Sequence, residues 1–313
     1  MRLLVLSPNY SKRVNWGHQH IRDAILARVE NSIQYGEACE FQGKTYIPDI
    51  CEEVSKVIGY PDTILMENWK NMNKYSGGAA SNCFKAFMLC DYYPDSRGNL
   101  GKYNALLNRH SIDLAICPTP DVMKHVRDQK ALGNLPKSLK TIWITQGVET
   151  NIFMKRDLPK EYDVMAVFGL VSYVYPNRPN VQTLVSNMAG VNALVGDWKS
   201  GIKHYEYARA INKSKIFVNC NGINNQVLMK YFEIMASGTL LLTNLPNDYK
   251  EFGLIPGKHF AVWRTLTDLQ DKLYYFLEED AVREAIADQG MSFVRENYSA
   301  EVIAIQIERA VGG

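Results

Sequence analysis

In the stretch VLMKYFEIMASGTLLLTN, Val227 to Asn244, a lysine and a glutamate stand three residues apart on a helical pattern that runs into an apolar strand. At about 100° per residue, Gln226, Lys230, Glu233 and Ser237 fall on one narrow stripe, and Val227, Leu228, Tyr231, Phe232, Ile234 and Met235 cover the rest. Two readings follow. As a surface pair at i,i+3, Lys230 and Glu233 would add roughly a few tenths of a kcal/mol to the helix. As a binding stripe, the carboxylate would accept two vicinal hydroxyls, as on a ribose, and the ammonium would meet a phosphate. The stripe is one side chain wide and ends at Ala236-Ser237-Gly238, where small residues admit a close approach. That narrowness suits a nucleotide.

Further polar residues follow apolar runs in the first half of the chain, and ligands of open α/β sheets sit at the carboxyl ends of strands. Strand one leads into NYSKRVNWGHQH, which offers Trp16, His18 and His20 as acceptor contacts; two histidines at i,i+2 point apart on a helix, so no metal site is expected. The second strand ends in Glu67, a further acceptor contact, and the third in Asp91. A carboxylate at such a place could act as general base for an acceptor hydroxyl, steady charge at an anomeric carbon, or cap the next turn.

These residues need elements to hold them. Short apolar runs without alternation recur (RLLVLS, DTILME, KAFMLCD, DLAICPT, KTIWIT, then DVMAVFG, NALVGD, KIFVNC, TLLLTN, HFAVW), as expected of strands buried on both faces. Helical stretches such as HIRDAILARVE, GKYNALLNRH, DVMKHVRDQ, NVQTLVSNMAG and YEYARAIN lie between them, so the fold class is α/β with parallel sheets and right-handed crossovers. The polar segment Thr150 to Asp163 interrupts the alternation, with five strands expected on each side. Near the C-terminus Thr267 and Gln270 read as a capping box, followed by helices to the end.

The chain has 313 residues, 46% of them hydrophobic, enough for two domains or one large one. The apolar run at the N-terminus stops at Ser7, too short for a signal peptide or a membrane span, so a cytoplasmic location is expected. Six cysteines without a C-x-x-C pair read as reduced core thiols. Residues 1–157 hold 20 Lys and Arg against 16 Asp and Glu, and residues 158–313 hold 15 against 17, so only the first half leans toward an anionic partner. No GxGxxG follows the first strand, which speaks against a dinucleotide oxidoreductase, and no DxD follows an apolar strand.

KYFEIMASGTLLLTN resembles the signature helix and strand of the GT-B-fold glycosyltransferases, closest to the retaining group related to sucrose and mannosyl transferases and to its spore-maturation-protein-like branch. TQGVETNIF (145–153) resembles the segment that enters the second domain in that family, YDVMAVFG resembles the first strand of the donor domain, and the C-terminal helices are similar too. The resemblance implies two Rossmann-like domains facing a cleft: an acceptor domain over 1–155, a nucleotide-sugar domain over 156–295, and a helix over 296–313 packing back toward the first. It implies that Glu233 holds the donor's ribose hydroxyls. The family's second glutamate, eight positions earlier, is here Asn225, and Leu170 and Tyr175 stand at the spacings of its diphosphate-binding Arg and Lys. Arg178, before a proline suited to a helix start, and Lys230 are therefore assigned to the diphosphate, with Gly169 allowing close approach and Asn225 and Gln226 lining the donor.

The implied activity is transfer of a sugar from a UDP- or GDP-type nucleotide sugar to a hydroxyl of a saccharide or other small acceptor, with retention. No tightly bound cofactor is implied. Catalytic roles fall to Lys230, Arg178 and Asp91. Three further readings stay open: transfer onto a hydroxymethylated base in DNA, suggested by the basic first half; a nucleotide-sugar-binding module without catalysis, permitted by Asn225; and a two-lobed transport receptor, which the missing export signal disfavours.

Overall fold

The structure is a computed structural model that describes residues 1–7, 19–67, 72–89, 99–171, 174–197 and 204–312. The chain divides into two compact units, 1–146 with 300–313, and 147–299. The sequence-based expectation places the joints at 155/156 and 295/296.

Unit 1 carries a six-stranded parallel sheet in the order β2-β1-β3-β4-β5-β6: β1 (Leu3–Leu6), β2 (Ser32–Tyr35), β3 (Thr63–Glu67), β4 (Phe84–Met88), β5 (Leu114–Cys117) and β6 (Lys140–Trp143). Strands β1, β3 and β5 are buried at every position, as their unbroken apolar runs require. The connecting helices are α1 (Gln19–Arg28), α2 (Ile47–Ile58), α3 (Asn99–Arg109) and α4 (Pro120–Ala131). Their apolar faces close a core that includes Ile50, Val54, Ile64, Phe87, Tyr103 and Val126. Strand β2 is a correction to the expected five. It is an edge strand of sequence SIQY, half polar, so it shows no continuous apolar run. Helix α2 also went unread, although Ile47, Ile50, Cys51 and Val54 form a buried stripe behind Pro48 in its first turn.

Unit 2 carries five parallel strands in the order β11-β10-β9-β7-β8: β7 (Tyr162–Val167), β8 (Ala193–Gly196), β9 (Ser214–Asn219), β10 (Leu240–Asn244) and β11 (Ala261–Trp263). Its helices are α5 (Arg178–Ser186), α6 (His204–Asn212), α7 (Met229–Ala236), α8 (Leu266–Glu278) and α9 (Asp280–Tyr298). The α8 cap is Thr265, whose hydroxyl accepts from Asp268 N, rather than Thr267, which lies inside the first turn. Helix α7 is pinned from below: Phe232 stacks on Tyr298 with ring centroids 4.6 Å apart, and the Tyr298 hydroxyl donates to Phe252 O at 2.7 Å. The last helix, α10 (Ala300–Gly312), returns to unit 1 and buries Ile303, Ala304, Ile307 and Val311. There Arg28 pairs with Glu308 at 2.8 Å and Thr63 donates to Val311 O.

The five described cysteines are free thiols, four of them buried. No helix of the described residues is long and apolar enough to cross a membrane, and among them no group of three or more His, Cys, Asp or Glu is arranged to hold a metal ion.

Candidate functional site

In unit 2 the chain steps from β7 outward to β8 and then crosses back to lay β9 on the other side of β7. The point where strand order reverses, between β7 and β9, is where helices diverge and leave a crevice at the carboxyl edge. Three carbonyls mark it: Val167 O at the last residue of β7, Gly169 O just beyond it, and Cys220 O just beyond β9.

Lys230, the second residue of α7, donates from Nζ to Val167 O at 2.9 Å, and its ammonium lies 5.4 Å from the ring centroids of both Tyr207 and Phe217. One of its three donors is thus used, leaving two. Glu233 follows one turn later. Both keep a little surface while the surrounding atoms exclude most water. Burial therefore pushes the Lys230 ammonium down, opposed by the field of Glu233, and pushes the Glu233 carboxyl up, opposed by Lys230. The Glu233 carboxylate makes no hydrogen bond or ion pair to any described residue. This is not a solvated surface pair at i,i+3. Each charge pays a desolvation cost that the other offsets only through space.

Arg178 opens α5 and is 3% exposed. Its Nε donates to Cys220 O at 2.9 Å and its Nη1 to Gly169 O at 2.8 Å, while Cζ sits 3.3 Å over the Tyr175 ring. Burial lowers its pKa. The guanidinium expected to grip a diphosphate uses two donor groups to tie the end of β7 to the end of β9. The physical reason is local: two orphan strand-end carbonyls lie within reach of a rigid fork, and satisfying them outweighs leaving the side chain free. Gly169 serves as one of these acceptors.

Asn225 is likewise engaged within the frame. It adopts a left-handed φ of 43°. Its Nδ2 donates to Leu245 O and Asn247 Oδ1, both at 2.9 Å, and its Oδ1 accepts from Asn221 Nδ2 and Asn244 Nδ2, both at 3.0 Å. All its amide hydrogen-bonding capacity is used to clasp the loop after β9 to the loop after β10, so a sugar hydroxyl would have to break that clasp. Gln226 lies just before α7, outside the helix, partly buried, and its side-chain amide bonds to no described residue.

Tyr207, on α6, is a residue the sequence reading missed. Its hydroxyl is buried without a hydrogen-bond partner among the described residues, and its ring stands edge-on to Phe153 and Phe217, each at 6.3 Å. Burial, then the Glu233 charge, push the phenol well above its usual pKa. The pattern YEYARAIN could have placed Tyr207 on the inward face with Ala208 and Ile211, but not beside Lys230.

Unit 1 repeats the topology, with its reversal between β1 and β3. The register sets Leu6 beside Met66, so the next residues, Ser7 and Glu67, meet. Ser7 Oγ donates to Glu67 Oε2 at 2.7 Å, Arg22 Nη1 donates to Ser7 Oγ at 2.8 Å, and Arg22 lies 3.5 Å from Glu67, all three being buried. Glu67 Oε1 has no hydrogen-bond partner among the described residues. Burial raises the Glu67 pKa against the opposing pull of Arg22 and Ser7. His20 is the second residue of α1 and is partly buried. Trp16, His18 and Asp91 lie outside the described residues.

Residues 174–309 match a family described as glycosyl transferase-like. Among curated proteins none matches the chain. Among solved structures, HepE of Anabaena in complex with UDP and glucose superposes with a TM-score of 0.71 at 13% identity over 100% of both chains. The complex of the same protein with UDP-glucose gives 0.70 at 14% over 99% of each. Sucrose-phosphate synthase from Thermosynechococcus elongatus gives 0.64 at 13% over 98% of this chain and 97% of that one. At such identities the likeness is one of fold, and the family match adds the activity class. Two parallel α/β sheets thus give this chain the fold of the GT-B glycosyltransferase structures, and residues 174–309 carry a glycosyl transferase-like sequence.

Proposed function

We propose that the chain moves a sugar from a uridine-diphosphate sugar to an acceptor hydroxyl with retention at the anomeric carbon, and that Lys230 and Glu233 form the donor grip. The observation that carries this reading is the Glu233 carboxylate, largely withdrawn from water at a topological reversal point yet bonded to no described residue. A buried charge without hydrogen bonds is costly, and a ligand that supplies donors removes the cost. Two vicinal ribose hydroxyls do so. Lys230 has two donors left for a diphosphate, and the uncapped N-terminus of α7 adds backbone amides and the positive end of its dipole. The complexes of HepE with UDP and UDP-glucose support the choice of donor class.

In this reading the bond between the anomeric carbon and the diphosphate oxygen breaks, and the negative charge that grows on that oxygen is stabilised by the Lys230 ammonium. The acceptor oxygen forms its bond to the anomeric carbon on the face the diphosphate leaves, and the departing diphosphate takes the acceptor's proton, so no strong protein base is needed on the donor side. Arg178 acts as a positioning residue that holds the two strand ends beneath the grip.

Calorimetric titration with UDP and GDP tests the grip. UDP is expected to bind, and Glu233→Ala to weaken it about tenfold or more, as loss of hydrogen bonds to a charged group implies. If neither nucleotide binds the wild type, or if Glu233→Ala binds UDP as well as the wild type does, the donor assignment fails.

A further inference from the structure

Beyond the donor grip, unit 1 holds a cavity of about 260 Å³ at the carboxyl end of β2, lined among others by Tyr35, Glu37, Gln42, Lys44, Lys74 and Tyr75. We propose that this cavity binds one uncharged pyranose ring of the acceptor. The proposal rests on the glycosyltransferase reading for the word acceptor, and on the cavity's own chemistry for the word pyranose.

The walls are built rather than incidental. Ser76 N donates to Thr45 O and Ile47 N to Ser76 O, both at 2.9 Å, which fastens the segment after the loop to the segment bearing Lys74 and Tyr75. On the other side Gly36 N donates to Phe41 O at 3.0 Å, and Ala38 N donates to Gln42 Oε1 at 3.2 Å. Ala38 holds a φ of 61°, a left-handed conformation that an L-alanine adopts at a cost and that the loop's bonds enforce. The loop is also tied to the reversal point of this sheet, because Gln34 Nε2 and Cys39 Sγ both donate to Ser7 O, next to the buried Ser7–Glu67 pair.

The lining residues supply both donors and acceptors, and the charged ones are paired. Tyr35 accepts the Lys44 backbone N–H at 2.7 Å and donates to no described residue, so its own proton remains available. The Tyr75 hydroxyl has no described partner, and Gln42, with its oxygen engaged by Ala38, keeps its amide hydrogens free. Lys44 is neutralised by Glu53 at 3.1 Å. Glu37 and Lys74 meet at 3.4 Å, each 61% exposed, a weak pair that opens cheaply toward a ligand. With Lys44 and Lys74 each paired to a carboxylate, a phosphate would find no unpaired positive charge here, whereas the hydroxyls of a sugar ring would meet the Tyr35, Tyr75 and Gln42 donors. The volume lies below the range of about 300–1,000 Å³ of drug-sized clefts, as fits a single ring.

The test is nuclear magnetic resonance titration of the isotope-labelled full chain with methyl β-D-glucopyranoside and, separately, methyl β-D-glucuronide, alongside calorimetry with UDP. Saturable shifts at residues 35–45 and 74–76 with the glucoside are expected. Weakening by about fivefold in Gln42→Ala and in Tyr75→Phe, each the loss of one hydrogen bond, should follow with UDP affinity unchanged. Absence of shifts, shifts equal in both variants and wild type, or tighter binding of the charged glucuronide would overturn the proposal. Normal UDP binding with no saccharide shift would remove the cavity assignment alone. Failure of UDP to bind the wild type would remove the donor reading and the acceptor role with it.

Discussion

Lys230 and Glu233 illustrate how one burial effect acts in opposite directions on two neighbouring groups. Burial raises the carboxyl and lowers the ammonium. The unliganded protein therefore bears most of the Glu233 cost above that group's raised pKa and most of the Lys230 cost below its lowered one. Nucleotide affinity is expected to fall as pH drops through the raised Glu233 pKa, because the protonated carboxyl loses acceptor capacity for the diol. It is expected to fall again as pH rises through the lowered Lys230 pKa, because the ammonium is lost. Measuring the UDP dissociation constant against pH checks both limbs. Glu233→Gln should flatten the acid limb, and Lys230→Arg should move the alkaline limb out of range. Arg178→Lys should behave differently. It removes the fork that satisfies Gly169 O and Cys220 O, so chemical denaturation should report a loss of about 2 kcal/mol, while UDP affinity falls less than in Glu233→Ala.

Among the elements, α7 depends on what lies beneath it. Helix α9 passes so close to the preceding turn that a Cβ on Gly290 would stand 2.3 Å from His259 O and 3.3 Å from Met235 Cγ of α7. The first contact is with backbone and cannot be relieved by a rotamer change. Gly290→Ala should therefore destabilise unit 2 by about 3 kcal/mol, read from denaturant unfolding. Because the strain is transmitted to α7, UDP binding should weaken along with it. The helix's own pattern shows an inward position at 290, but only its distance from residue 259 turns that position into a strict requirement.

Across the whole molecule, the chain passes through unit 1, completes unit 2 and comes back, so the first fold is finished by the last helix. Helix α10 buries Ile303, Ile307 and Val311, and each large apolar side chain returned to water costs about 1.5–3 kcal/mol. Removal of residues 300–313 should thus unfold or loosen unit 1 and leave unit 2 folded. Hydrogen exchange would show loss of protection in β1 and β3 with protection retained in β7 and β9, and UDP binding should survive.

Strand and helix alternation was legible from residue types alone, since a strand covered on both faces needs an unbroken apolar run and a crossover helix needs a stripe. So was the oddness of Lys230 and Glu233 on a one-residue-wide polar stripe, because helical periodicity is a local property. Strand β2 was hidden because an edge strand can be half polar, and the hydrogen bonds of the donor-domain residues with the plainest chemistry were hidden for a related reason. Arg178 and Asn225 have the right types for phosphate and sugar, yet their fates depend on which orphan carbonyls and amides the crossovers bring within 3 Å, and that is decided by strand order and register. The same holds for Ser7 and Glu67, sixty residues apart in sequence and joined only because β1 pairs with β3, and for Tyr207, which gains meaning from Lys230 on a different helix. Local patterning determined the elements and their buried faces; tertiary structure decided which polar groups are consumed in holding the frame and which are left for a ligand, because hydrogen bonds are satisfied through space and not along the chain.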